Sequence, residues 1–138
     1  MTNSADNRTL VERFHRAMRE KMLNTDTDLA EFFTPSVRWH LPRSSPLHGT
    51  LNGKAAVLAL FEGAVDDYYQ TDTIRFDYQG CLADEQLVML QFVMSATTAA
   101  GDAYENDYCM LFRVEAGLIA EVWEYFDTSE LFSKMPQP

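Results

Sequence analysis

The sequence predicts an α+β fold in which helices come first and an antiparallel sheet follows. Apolar residues recur at helical spacing in three early segments, whereas the second half alternates apolar and polar residues with the period of a strand. Short turns separate the predicted strands, and strands connected in this way pair antiparallel as a meander. Helices gathered ahead of the strands indicate α+β order rather than the alternating order of α/β proteins.

The helical segments can be placed individually. Apolar spacing predicts a first helix over about 6–23 and a later one over about 53–69. Between them, a short second helix ends before Pro35, because proline cannot continue a helix. Residues 36–41 predict a strand, and the Pro, Gly and Ser residues of 42–53 predict a loop. Each helix therefore offers one apolar stripe to a common core.

Further strands are expected in the second half of the chain, with tight turns between them. Their predicted ranges are 72–80, 86–98, 103–115 and 118–126. The strand over 86–98 is apolar on both faces, and one layer of helices covers only one face of a sheet. The uncovered face predicts a homodimer formed through the outer side of the sheet.

Length and charge define the class of protein. The 138 residues suit one domain spanning 1–138, with room for a core and a modest cavity. A formal net charge of -10 argues against nucleic acid as a partner, since phosphate binding needs a basic patch. No apolar run predicts a membrane span and the polar start lacks a signal peptide pattern, so we expect a cytoplasmic protein without a membrane partner. Cys81 and Cys109 lack metal-site spacing, and two reduced, buried thiols are expected.

Several catalytic motifs are absent from the sequence. It has no nucleophile motif, no glycine-rich phosphate loop and no HExxH pair. Nothing in it therefore predicts a cofactor or a metal site. Acid–base proton transfer is the chemistry that remains.

The end of the last strand carries the first candidate for that chemistry. Period-two alternation places Trp123, Tyr125 and Asp127 on one side of the strand. A carboxylate in aromatic surroundings has a raised pKa, because desolvation disfavours its charged form. Asp127 also begins the sequence DTSE, so an alternative role is the N-cap of a short helix running to Phe132.

Neighbouring strands add further candidate site residues. Alternation puts Asn106, Tyr108 and Met110 on one side of the preceding strand, where they can share a pocket with Asp127 and its aromatic neighbours. In the first strand, His40 follows Trp39, and an imidazole can donate or accept a proton near neutral pH. Asn106 and His40 have structural alternatives, as a buried amide bridging strand ends and as a hydrogen-bonded core histidine.

The chain resembles the SnoaL-like polyketide cyclases and ketosteroid isomerases of the nuclear-transport-factor-2-like superfamily. The resemblance rests on residues 37–42 (VRWHLP), 46–49 (PLHG), 52–54 (NGK), 104–108 (YENDY), 111–114 (LFRV), 116–119 (AGLI) and 124–128 (EYFDT). It implies a conical fold, with a curved antiparallel sheet wrapped around three N-terminal helices and a central pocket. It is specific for the fold rather than the reaction, because this superfamily hosts isomerases, cyclases, dehydratases, epoxide hydrolases and binding proteins.

Individual residues carry over from the resemblance. Asp127 matches the acid/base Asp of the SnoaL-type cyclases. His40 falls near the general-base Asp of ketosteroid isomerase, and Met110 falls near the protonated Asp of its oxyanion hole. Both positions depart from the isomerase pattern, and Met110 cannot donate a hydrogen bond.

The leading hypothesis is a protein that binds a small hydrophobic molecule, cyclic or carbonyl-bearing, and moves a proton on it without a cofactor. Asp127 and His40 would form the acid/base pair, Asn106 or Tyr108 would polarise the substrate oxygen, and His48 would lie at the mouth of the pocket. The alternative is a non-catalytic ligand-binding or dimerisation module. Epoxide opening is less well supported, because no second inward Asp completes an Asp-Arg-Asp set.

Overall fold

A long N-terminal helix packs across the inner face of a curved, unclosed six-stranded sheet. This description comes from a computed structural model and covers residues 3–23, 26–46, 49–62 and 67–135. The elements are α1 (Ser4–Leu23), a 3-10 turn (Ala30–Phe32), β1 (Phe33–His40), β2 (Thr50–Asn52), α2 (Lys54–Ala59), a second 3-10 turn (Thr71–Thr73), β3 (Arg75–Asp84), β4 (Leu87–Thr97), β5 (Ala103–Glu115), β6 (Leu118–Phe126) and α3 (Thr128–Phe132). None of the helices within the described ranges is long and apolar enough to cross a membrane.

The sheet has the strand order β2-β1-β6-β5-β4-β3. Strands β3 to β6 form the expected antiparallel meander, and the predicted bounds of β5 and β6 match those observed. Strand β1 pairs with β6 in parallel, which places the first strand beside the last one. The predicted α+β class and curved sheet are confirmed, with this one parallel pair added to the meander.

Several predicted bounds are corrected by the structure. Strand β1 begins at Phe33, so Pro35 lies inside a strand, where the pairing register with β6 is interrupted and a missing N–H is tolerated. The predicted loop contains β2, which forms the sheet edge. The helix predicted over 53–69 is observed as α2 up to Ala59, and residues 63–66 lie outside the described part of the chain.

The core between α1 and the sheet is built around one aromatic side chain. Phe14 is fully buried and lies 5.4 Å from Phe33, 5.6 Å from Phe32 and 5.7 Å from Phe112 between ring centroids, with edge-to-face geometry in all three pairs. Such pairs contribute about 0.5–1.5 kcal/mol each beyond the area that they bury. This core fixes α1 over the inner face and so defines the wall of the cavity described below.

The turn between β5 and β6 sets the register of the last strand. Ala116 and Gly117 both have positive φ, 49° and 80°, as a two-residue type I′ hairpin requires. Immediately after it, Arg113 pairs with Glu121 whereas Val114 pairs with Ile119, so Ala120 is an extra residue on β6. This bulge reverses the alternation of the rest of β6 relative to its start.

Candidate functional site

An apolar cavity of about 320 Å³ lies between the inner sheet face, α1, α2 and α3. Its walls are mainly aromatic and methionine side chains, including Phe61, Phe92, Met94, Phe126 and Phe132. A cavity of this size and lining suits a small hydrophobic molecule.

Glu124 places a carboxylate in this cavity. It points inward from β6, beside Met110 of β5, and it carries the only carboxylate among the described lining residues. Burial raises the pKa of Glu124 to about 7, and the indole N–H of Trp39 partly offsets this by donating to Oε1 at 2.9 Å. A carboxyl group with this pKa exchanges its proton readily near neutral pH.

A cluster of phenol groups supplies neutral hydrogen-bond donors to the same region. Tyr69 and Tyr108 line the cavity, the Tyr108 and Tyr104 hydroxyls are 2.6 Å apart, and Asn106 Nδ2 donates to the Tyr104 hydroxyl at 2.9 Å. Burial is the main cause that raises the pKa of each of these three tyrosines above its ordinary value. The three phenol groups therefore stay protonated across the physiological pH range and can donate hydrogen bonds.

Asp127 lies outside this cavity. Its side chain is exposed and caps α3, where Oδ1 accepts hydrogen bonds from the backbone N–H groups of Ser129 at 3.0 Å and Glu130 at 3.2 Å. The buried amide of Asn106 braces its backbone from both sides, since Nδ2 donates to the Asp127 carbonyl and Oδ1 accepts from the Asp127 N–H. The N-cap alternative for Asp127 is thus the geometry that the structure shows, and Asn106 bridges strand ends as its own alternative predicted.

The bulge also changes the expected side of the aromatic residues of β6. Trp123 pairs with Leu111 and Tyr125 with Cys109, so both project from the outer face of the sheet. The expectation that they share a side with Tyr108 is corrected by this register. Trp39, Tyr108 and Met110 line the cavity.

His40 lies on the outer face as well. Its imidazole stacks on Trp123 at a centroid distance of 5.3 Å and forms hydrogen bonds with Glu121 and Thr50. The structure therefore does not bring His40 and Asp127 together as one acid/base pair. His48 lies outside the described residues.

The sequence interpretation gave Glu124 no role, although the residue stands in the motif that carried the resemblance. The sequence does contain a signal. Glu124 lies three residues before Asp127, so in a regular strand the two side chains face opposite sides and either one could be the carboxylate that faces the cavity. Only the position of the bulge decides which phase faces inward, and the alternation pattern does not reveal it. Tyr69 was missed because it falls in a segment predicted to be helical core.

Comparison with known proteins agrees with this architecture. A model of the SnoaL-like domain matches residues 11–122. The chain belongs to the SnoaL-like family. Its fold is that of the nuclear-transport-factor-2-like superfamily.

Solved structures similar to this SnoaL-like protein share its fold at low sequence identity. Bal32a, from a soil-derived mobile gene cassette, is 20% identical with a TM-score of 0.80, covering 98% of this chain and 100% of its own. A protein of Rhodopseudomonas palustris that is named as an isomerase is 21% identical with a TM-score of 0.75, covering 91% of this chain and 94% of its own. A protein of Jannaschia sp. CCS1 that is named as a SnoaL-like polyketide cyclase is 12% identical with a TM-score of 0.76, covering 100% of this chain and 96% of its own. No functionally curated protein matches the sequence.

Proposed function

We propose that this SnoaL-like protein binds a small, uncharged hydrophobic molecule with a ring or a carbonyl group, and catalyses a proton transfer on it without a cofactor. Isomerisation, cyclisation and dehydration are the reactions that fit. The observation that carries the proposal is Glu124, a carboxyl group with a pKa of about 7 on the wall of an otherwise apolar cavity. Perturbed carboxyl groups in such cavities are typical of acid–base sites.

Glu124 acts as the base in this proposal. The ionised form removes a proton from carbon next to a substrate carbonyl. The resulting carboxylic acid then returns the proton to another atom of the same molecule, so that no proton is gained or lost overall. The hydrogen bond from Trp39 orients the carboxyl group during both steps.

The phenol cluster stabilises the intermediate. As the α-proton leaves, negative charge develops on the substrate oxygen, and a preorganised donor in an apolar site stabilises that charge strongly. The Tyr108 hydroxyl lines the cavity and is held by Tyr104, while Tyr69 offers a second hydroxyl on the same wall. Asn106 contributes by orienting Tyr104 rather than by touching the substrate.

The proposal can be tested without knowing the natural substrate. Cyclic ketones such as 2-methylcyclohexanone and 2-tetralone, incubated in D₂O, should exchange their α-protons in the presence of the protein, as followed by NMR. Glu124→Gln should slow this exchange by about 10²–10⁴-fold, since it removes the base. Glu105→Gln is the matched control, because Glu105 is exposed on the neighbouring strand, and it should leave the exchange unchanged.

A ligand-binding role without catalysis is the second candidate, favoured by the scarcity of polar groups on the cavity walls. The same ketones separate the two functions. Saturable binding, seen as chemical-shift changes in the protein, together with no exchange above the buffer rate would support binding alone and contradict the enzyme. Equal exchange by wild type and Glu124→Gln would remove Glu124 as the base.

We further propose that the protein forms a homodimer through the outer sheet face. Four residues form an outer apolar patch there: Leu82, Leu87, Met89 and Leu111. Leu82 pairs with Met89 and Met89 with Leu111, so the patch is continuous across three strands, and Leu82 is 67% exposed. A second copy of the same patch related by a two-fold axis covers it, as in most soluble homodimers. The net charge of -10 argues against nucleic acid as a partner.

The two free thiols support a reducing compartment as the place of action. The structure pairs neither Cys81 nor Cys109 in a disulfide. Proteins of the cytoplasm keep their cysteines in this state. We therefore propose that the protein acts in the cytoplasm.

A further inference from the structure

A second group of reactive side chains lies on the sheet face opposite the cavity. His40 and Trp123 are neighbours in the parallel pair of β1 and β6, and Thr50 is paired with His40 on the edge strand β2. They line an open groove together with Arg43 and Tyr125. Leu41 and Glu124 border both this outer groove and the cavity, but His40, Thr50 and Trp123 take no part in the proton transfer proposed for the cavity.

The side chains in the outer groove form a hydrogen-bonded chain of carboxylate, imidazole and hydroxyl. His40 Nε2 lies 2.5 Å from Glu121 Oε2, and His40 Nδ1 lies 2.8 Å from Thr50 Oγ1. The carboxylate accepts the Nε2–H, which leaves the lone pair on Nδ1 in the neutral imidazole. Thr50 then donates its hydroxyl hydrogen to Nδ1, which is the arrangement of a nucleophile and its general base.

Glu121 is held in its ionised form by its neighbours. Arg113 Nε lies 3.3 Å from Oε1, and Arg38 Nη1 lies 3.4 Å from Oε2. Burial alone would raise the pKa of Glu121, but the hydrogen bonds from His40 and Arg113 and the charge of Arg38 bring the pKa below its ordinary value. A charged, fixed carboxylate orients the imidazole and stabilises the imidazolium that forms when the base accepts a proton.

The imidazole is also fixed by stacking. The rings of His40 and Trp123 are inclined by only 21° to each other. The ring plane is therefore set by Trp123 on one face and by hydrogen bonds at both nitrogens. Catalytic bases need such support, because small misplacements of a reacting group reduce the rate strongly.

We propose that Thr50, His40 and Glu121 form a second catalytic site, which transfers the acyl group of small uncharged aryl esters to the Thr50 hydroxyl. Thr50 Oγ attacks the ester carbonyl while His40 Nδ1 takes the hydroxyl proton. The tetrahedral intermediate collapses, the bond to the phenol oxygen breaks, and His40 returns the proton to that oxygen. Water then attacks the acyl-threonine with His40 again as base, releasing the carboxylic acid and restoring the hydroxyl.

The lining of the outer groove indicates the class of ester. Trp123 and Tyr125 offer aromatic surface to a flat leaving group, and Tyr125 is 55% exposed. Arg43 places a cation on the same wall, which disfavours a positively charged ester. The outer apolar patch runs from Leu82 on β3 to Leu111 on β5, and Leu111 is the cross-strand neighbour of Trp123, so the groove borders the proposed dimer surface.

The test uses 4-nitrophenyl acetate with the intact protein. Mixing should release a burst of about one equivalent of nitrophenolate, as acyl-enzyme formation predicts. Peptide mass spectrometry after a rapid quench should place one acetyl group on Thr50. Thr50→Ser should keep the burst, Thr50→Val should abolish it, and His40→Gln should slow it about 100-fold or more. Thr9→Val removes an exposed hydroxyl of α1 and should change nothing.

Acetylation found only on lysines or the N-terminus would overturn the proposal, and so would an unchanged burst in Thr50→Val. Thermal melts of the Thr50 variants keep this conclusion independent of folding, since Val and Ser both fit an edge strand. The ketone exchange assay addresses the cavity separately. Thr50→Val should exchange α-protons at the wild-type rate, so either site can fail while the other stands.

Discussion

Replacing Glu124 by Gln should stabilise the protein, and more so as the pH rises. The pKa of this carboxyl group lies at about 7 in the folded protein against an ordinary value of 4.5. Each unit of pKa corresponds to about 1.4 kcal/mol, so keeping the ionised form in the cavity costs roughly 3 kcal/mol. Glutamine has nearly the same shape and no charge, and its side-chain oxygen can still accept the hydrogen bond from Trp39.

The sign follows from proton binding in the two states. Below about pH 4.5, Glu124 is protonated in both the folded and the unfolded chain, and its ionisation costs nothing. Between about 4.5 and 7 the unfolded chain releases this proton while the folded protein keeps it, so the free energy of unfolding falls as the pH rises. Above about pH 7 the group is ionised in both states, and the full cost remains.

Urea unfolding of wild type and variant at about pH 5.5 and about pH 8.5 measures this effect. The stability advantage of Glu124→Gln should grow by about 2 kcal/mol between the two, with m-values unchanged. Glu105→Gln, on the exposed side of β5, should show no such growth. A stability advantage of Glu124→Gln that does not change with pH would mean that Glu124 ionises normally. That result would contradict its assignment as a base near neutral pH.

Substitutions at three other positions test separate parts of the structure. Tyr108→Phe should leave the fold intact and slow ketone exchange by about 100-fold, measured by NMR, because one donor to the developing oxyanion is lost; exchange at the wild-type rate would assign that role elsewhere. Asp127→Asn should melt like wild type whereas Asp127→Ala should lose about 1 kcal/mol, as expected for an N-cap, and exchange abolished in the Asn variant would instead restore Asp127 as an acid/base group. Leu111→Glu should give a monomer by light scattering, and a thiol reagent should then label Cys109 on the outer face faster. Cys81 should stay slow to react, because burial raises the pKa of its thiol to about 11. A wild-type protein that is monomeric at micromolar concentration would refute the dimer.

Local patterns predicted the meander well and the early part of the chain less well. Strands β5 and β6 alternate clearly and are joined by a two-residue turn, so their bounds follow from short-range rules. The parallel pairing of β1 with β6 joins segments about eighty residues apart, and no local signal announces such a contact. The sequence predicts that Pro35 ends a helix, but an irregular point in the β1 ladder accommodates Pro35 inside a strand.

One extra residue in β6 explains why the sequence predicts the wrong carboxylate for the cavity. Without the extra residue Ala120, the alternation set by Ile119 at the start of β6 would have turned Trp123 inward and Glu124 outward. The bulge exchanges these two sides, so that the aromatic residues line the outer groove and the carboxylate lines the cavity. On β5, where no bulge intervenes within the paired stretch, Tyr108 and Met110 face the cavity.

The bulge decides which of two carboxylates on β6 faces the cavity. Glu121 and Glu124 are three residues apart and face opposite sides of the sheet. Glu124 meets apolar walls and a single indole N–H, so desolvation dominates and its pKa rises. Glu121 is also buried, yet one imidazole and two guanidinium groups surround it and its pKa falls. The inner carboxyl group is thereby suited to exchanging a proton near neutral pH, while the outer one keeps its charge and holds an imidazole in place.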